Sequence, residues 1–212
     1  MAALDLQEQE QLETLKGWWK ENGTWITLAV SVLVVGVVGW RGLQYYQSKQ
    51  ANDAATLFQQ FNEQVSSKDA KRVNDAAAAL TDKFGTTLYA TKAALAAAQV
   101  NEQGKNLAQA KTQLTWVIEH AKEASLKDVA RLRLAAILLD EKQYADALKQ
   151  LEGEHPAAFD ALYADLKGDV FAAQGKTAEA QAAYKLAFDK TDAKSNYRNL
   201  IEIKLDGLGA AK

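Results

Sequence analysis

Along the chain, hydrophobic and polar positions separate one uninterrupted apolar run from a long tract of helical periodicity. From Asn22 to Trp40 nineteen consecutive residues carry no charge, and nine of them are Val, Ile or Leu. At about 1.5 Å per residue such a helix spans roughly 28 Å, close to the thickness of a bilayer's hydrocarbon core. Those aliphatic side chains contribute on the order of −3 to −5 kcal/mol of insertion free energy, from which Thr27, Ser31, Gly36 and Gly39 subtract. Trp18, Trp19 and Trp25 stand at one end of the run and Trp40, Tyr45 and Tyr46 at the other, as aromatic belts do at the two headgroup levels. A buried core helix would seldom run so far without a charge. A cleaved signal peptide fits less well, because the run exceeds the usual apolar region of roughly 7–15 residues. No small-x-small cleavage site follows in Arg41-Gly-Leu-Gln-Tyr-Tyr46. The pattern predicts a tail over 1–21, a transmembrane helix over 22–43 and a domain over 44–212.

Gly36, Gly39 and Gly42 recur every third residue and form a strip of small residues. Such a strip permits close approach of another membrane helix. Charge does not orient the span: Lys16 and Lys20 lie before it, Arg41 and Lys49 after it. The positive-inside count is therefore a tie.

Beyond the anchor the pattern is helical almost throughout. The predicted helices cover roughly 4–21, 23–66, 69–83, 87–103, 107–122, 126–141, 144–152, 157–174, 177–189 and 194–207. A half-motif recurs within them: Val73-Asn-Asp-Ala76, Leu107-Ala-Gln-Ala110, Tyr144-Ala-Asp-Ala147 and Thr177-Ala-Glu-Ala180. Its alanines are 34, 37 and 33 residues apart, and a period near 34 is that of a tetratricopeptide helix pair. In the last copy Gly168, Phe171, Ala180, Tyr184 and Ala187 match that pattern: small residues where paired helices meet, aromatics in the seam between units. Gly175 permits the turn. Tyr197, Leu200, Ile201, Ile203, Lys204, Leu205 and Leu208 form a last amphipathic helix suited to cap the stack. The fold class is all-α: one transmembrane helix followed by a tetratricopeptide-like repeat domain.

Composition narrows the function. Lys plus Arg number 25 against 27 Asp plus Glu, which leaves no basic footprint for nucleic acid. The absence of cysteine excludes disulfides, thiolate metal sites and thiol nucleophiles. His120 and His155 are far apart and lack ligand spacing. Asp140 with Glu141, and Glu152 with Glu154, fall at predicted turns and read as solvated. No phosphate-binding loop, zinc motif or nucleophile elbow occurs. The sequence therefore reads as a binding protein rather than an enzyme, with no cofactor, metal or small-molecule substrate expected. Stacked helix pairs offer a concave face lined by the first helix of each unit. By the repeat spacing that face is expected to include Lys92, Gln99, Val129, Leu132, Ala136, Leu162, Asp165 and Asp169, apolar at its centre and suited to a peptide or partner helix.

The order of segments also resembles a known family. Leu12-Glu-Thr-Leu-Lys-Gly-Trp-Trp-Lys-Glu-Asn-Gly23, the Gly39-Trp40-Arg41 exit from the apolar span, and Ala164-Asp-Leu-Lys-Gly-Asp169 in the last repeat are similar to the YfgM family, over the whole chain. Its members are ancillary subunits of the Sec translocon in Gram-negative bacteria. The resemblance implies a cytoplasmic tail, an inner-membrane anchor and a periplasmic repeat domain. It implies the SecYEG channel and PpiD, a membrane-anchored chaperone of the parvulin type, as partners, and a role in passing exported chains to periplasmic chaperones. It supplies no active-site residues. Two alternatives stay open from the residues alone: a repeat receptor facing the cytosol, and a scaffold for envelope assembly with no part in export.

Overall fold

The computed structural model describes residues 6–67 and 69–209. Residues 1–5, with which the expected tail and the predicted first helix begin, lie outside the described residues. Among the described residues α1 runs Leu6–Ser67, α2 Ala70–Phe84, α3 Leu88–Gln103, α4 Leu107–His120 and α5 Ala124–Asp140. They are followed by α6 Tyr144–Gln150, α7 Asp160–Ala173, α8 Thr177–Lys190 and α9 Asn196–Gly207, with a 3-10 turn at Ala157–Phe159 before α7. No strand occurs among the described residues. They fall into two compact units, one up to Gln50 and one from Ala51.

In the first unit the break expected near Asn22 and Gly23 is absent, and α1 continues through it. The polar side chains there return to the helix instead of competing with it. The Asn22 amide donates to the Trp18 carbonyl at 3.0 Å, and the Thr27 hydroxyl donates to the Gly23 carbonyl. The Trp19 indole covers Gly23 so closely that a Cβ there would stand 3.0 Å from the ring. Beyond this point Trp25, Leu28, Val32, Leu33, Val35 and Val38 are all exposed. A core helix of this composition would bury them. α1 is long and apolar enough to cross a bilayer, and none of its apolar window is buried within the protein. A Cβ built at Gly36, Gly39 or Gly42 meets nothing within 4 Å.

In the second unit α2, α4, α6 and α8 begin 37, 37 and 33 residues apart. The residues at the fourth position of these helices, Val73, Ala110, Ala147 and Ala180, are all fully buried. The first of them corrects the expected register: Ala76 is only half-buried, and Val73 takes the place matched to Ala110. The run Ala76–Ala79 offers the small-residue signal at several registers, whereas the structural position holds a valine.

The turns inside three successive pairs close alike. Lys105, Lys142 and Gly175 have φ of 60°, 61° and 75°. The next amide then donates to the carbonyl five residues back: Asn106 to Asn101 at 2.8 Å, Gln143 to Leu138 at 2.8 Å and Lys176 to Phe171 at 2.9 Å. This is the Schellman closure, which places one residue in the left-handed region. Only Gly175 was recognisable from residue type.

The seams between helices show matched sizes. Ala98 clusters with Leu114, Ala135 with Leu151, and Gly168 lies under Tyr184. Where the larger Tyr184 replaces leucine, glycine replaces alanine, and the Tyr184 ring leaves no space for a Cβ at residue 168. Gly168→Ala is therefore expected to destabilise the repeat domain by about 1–3 kcal/mol, as overpacking does. Gly153→Ala, where a Cβ meets nothing closer than 3.8 Å, should stay within about 0.5 kcal/mol. Urea titrations followed by far-UV circular dichroism compare the two. In the same assay Lys142→Gly should raise stability by about 0.5–1 kcal/mol, because glycine adopts its left-handed conformation without steric cost.

Candidate functional site

The expected concave face is not uniform in the structure. Lys92 and Gln99, two turns apart on α3, are exposed. Val129, Leu132 and Ala136 on α5 are half-buried, and Leu132 packs in a cluster with Tyr163, Phe159 and Leu166. Leu162 is 39% exposed. Asp165 departs from the expectation: it is only 6% exposed and does not stand on an open face.

The cause is α9. Its Lys204 ammonium reaches Asp165 Oδ2 at 2.8 Å and both oxygens of Asp169, at 2.8 and 2.9 Å. The Tyr197 hydroxyl donates to Asp165 Oδ2 at 2.7 Å, and the Tyr184 hydroxyl donates to Asp169 Oδ1 at 2.7 Å. The two aspartates therefore hold the last helix in place, and Asp165 Oδ1 remains buried without a partner. Burial works to lower the Lys204 pKa, but the hydrogen bonds to Asp165 and Asp169 outweigh it and keep the pKa above the ordinary lysine value. Burial, reinforced by the aspartate each one faces, raises the pKa of Tyr184 and Tyr197, so both remain donors. Ile201, Leu205 and Leu208 supply the apolar part of this contact, and Arg198 lies over the Phe188 ring at 3.6 Å.

Two further polar groups escaped the sequence. Asn101, fully buried, occupies the place held by Leu138 and Phe171 in the next two units. It donates to Asn74 Oδ1 at 2.7 Å and to Gln113 Oε1 at 2.9 Å, while Gln113 donates to Asn74 Oδ1 at 2.8 Å. Buried Asp128 accepts from the Tyr163 hydroxyl at 2.8 Å and from Arg131 at 3.1 Å. Neither group carries a local motif; a polar residue at an otherwise apolar repeat position was the one available signal. The histidines serve packing: His120 stacks on Trp116 at 4.8 Å and His155 on Tyr163 at 4.0 Å. Among the described residues no three His, Cys, Asp or Glu side chains are grouped to hold a metal.

A tetratricopeptide repeat-like domain matches residues 16–210. A Neisseria gonorrhoeae protein named ancillary SecYEG translocon subunit is 31% identical over 210 residues, spanning 97% of this chain and 99% of the relative. The chain belongs to this family. An Escherichia coli protein of the same name is 28% identical across 95% of this chain and 96% of its own length. One from Haemophilus influenzae is 29% identical across 87% and 90%. No solved structure matches the chain.

Replacing Lys204 with methionine removes the cation but keeps most of the stem. The buried Asp165 carboxylate then loses its counter-charge, and α9 should be held less tightly by about 2 kcal/mol, the scale of hydrogen bonds to charged groups. Hydrogen exchange of α9 amides should accelerate accordingly, and unchanged exchange would show that apolar packing alone docks the helix. Because the folded pKa of Lys204 is raised, its contribution is fully present below the unfolded lysine pKa of about 10.4 and is lost as pH rises through the folded value. In the native protein α9 should therefore loosen on the alkaline side, with no change across neutral pH from this group.

Proposed function

We propose that this chain is an ancillary subunit of the Sec translocon, tethered in the bacterial inner membrane by α1, with its tail in the cytoplasm and its repeat domain in the periplasm. The observation that carries the membrane part is the apolar run of α1, in which every residue from Thr27 to Trp40 is exposed. Full-length similarity to relatives named ancillary SecYEG translocon subunits supports the partner. In this reading the span over 22–43 docks beside the channel through Gly36, Gly39 and Gly42, where a neighbouring helix finds no side chain in its way. The repeat domain over 44–212 offers Lys92, Gln99 and Leu162 to a partner such as the PpiD-type chaperone, and assists transfer of exported chains. Asp165 and Asp169 act in it by holding α9 rather than by touching the partner.

Replacing residues 22–43 with an unrelated Leu/Ala span of equal length keeps the tether and removes the glycine strip. Co-purification with SecYEG should fall sharply; full retention would show that the repeats alone carry the association. Orientation is read separately, because the chain has no cysteine of its own. In spheroplasts a membrane-impermeant maleimide should label Lys122→Cys and spare Lys20→Cys. The reverse pattern would place the repeats in the cytosol and overturn the periplasmic reading.

A further inference from the structure

The face considered above is built by the first helices of the units. A separate cleft of about 130 Å³ opens between two second helices, α2 and α4, with α3 beneath. Ala77, Ala78 and Thr81 stand on one wall; Thr112, Gln113 and Trp116 stand on the other; Ala94 of α3 lies between them. The amides at one side of the cleft spend their hydrogen bonds on one another. Asn74, Gln113 and the underlying Asn101 form the closed triad described above, so they present no unmet polar demand. What remains open is Ala78, Thr81, Gln109, Thr112 and the half-buried indole of Trp116, over a floor formed by the buried Ala77 and Ala94. That indole is fixed in place: it packs in both adjoining apolar clusters and stacks on His120 at an interplanar angle of 9°.

Charge and size together select an occupant. None of the residues lining the cleft is ionisable. An ionised side chain entering it would shed water and meet no counter-charge, which is strongly unfavourable. An apolar cavity of about 150 Å³ accepts a benzene ring; this cleft is slightly smaller but open to solvent on one side, so it takes at most a single ring, with part of its edge outside. Gln109 at its margin offers an amide, and Thr112, whose hydroxyl donates to the Ala108 carbonyl at 3.1 Å, offers an acceptor to the main chain carrying such a ring. We infer that the cleft between α2 and α4 is a binding site for one uncharged aromatic side chain presented by a partner polypeptide. Ala78 and Thr112 keep it accessible, since both are exposed in the free protein.

The test uses the full chain in detergent micelles, labelled with 5-fluorotryptophan, with the Trp116 resonance identified by Trp116→Phe. Added N-acetyl-phenylalaninamide should move the Trp116 signal saturably, at concentrations on the order of millimolar for so small a ligand. N-acetyl-glutamate amide should leave it in place. Ala78→Leu and Thr112→Leu each plug the cleft from a different wall, and each should abolish the shift while the melting temperature of the repeat domain is retained. Because both residues are exposed, failure of one variant to fold leaves the other to decide. A Trp116 signal that ignores the phenylalanine amide, follows both compounds equally, or moves as far in the plugged, folded variant would overturn the assignment.

Discussion

Two helices of a pair approach closely only if the residue at their crossing has almost no side chain, and the repeat domain follows from that steric limit. Ala110, Ala147 and Ala180 are fully buried at the same position of successive second helices, with Val73 in the first. Ala98, Ala135 and Gly168 do the same for the first helices of three units. Once the backbones are this close, the seam has a fixed volume, and its fillers must trade size with their neighbours. The Tyr184 and Gly168 pair makes the trade visible, since the ring occupies the space a Cβ would need. The tyrosine hydroxyl is then carried onto Asp169, which ties the packing of one unit to the polar contact that holds the last helix.

That steric limit is also why much of the fold was legible in the sequence. A residue that must be small leaves a mark at each repeat, and of the four alanines that set the period, Ala110, Ala147 and Ala180 stand at one buried position of successive second helices. The mark fails where smallness is not informative: among the alanines 76–79 the register slides by three, and Val73, read as the first position of the half-motif, stands where alanine stands in the later copies. The left-handed turn was recognised at Gly175 and not at Lys105 or Lys142, because hydrogen bonding to the helix end enforces that conformation on lysine. The continuity of α1 through Gly23 was hidden for a related reason. Asn22 and Thr27 are helix-terminating by type, and only their bonds to the preceding turn make them compatible with its interior.

The candidate site was less legible because its partners are remote in sequence. Asp165 carries the periodicity of an open-face residue, and nothing within its own helix announces Lys204, 39 residues away. Asn101 and Gln113 have the composition of surface residues, yet each is buried because the other satisfies it. Both cases follow from one rule: a polar group is buried where a complementary group from another helix meets it. Local pattern identifies apolar burial, which needs no partner of a particular chemistry, and passes over polar burial, which does.

The same rule bears on function. The network around Asp165, the triad around Asn101 and the Asp128 group are largely satisfied within the chain and stabilise contacts between helices. The groups left to meet other molecules are different in kind: the bare apolar surface of α1, the exposed Lys92 and Gln99, and the uncharged cleft beside Trp116. These surfaces share little chemistry with one another, and each faces a different environment. In the proposed function a bilayer takes the first through hydrophobic transfer and a partner surface meets the second; a single uncharged aromatic side chain is inferred to fit the third.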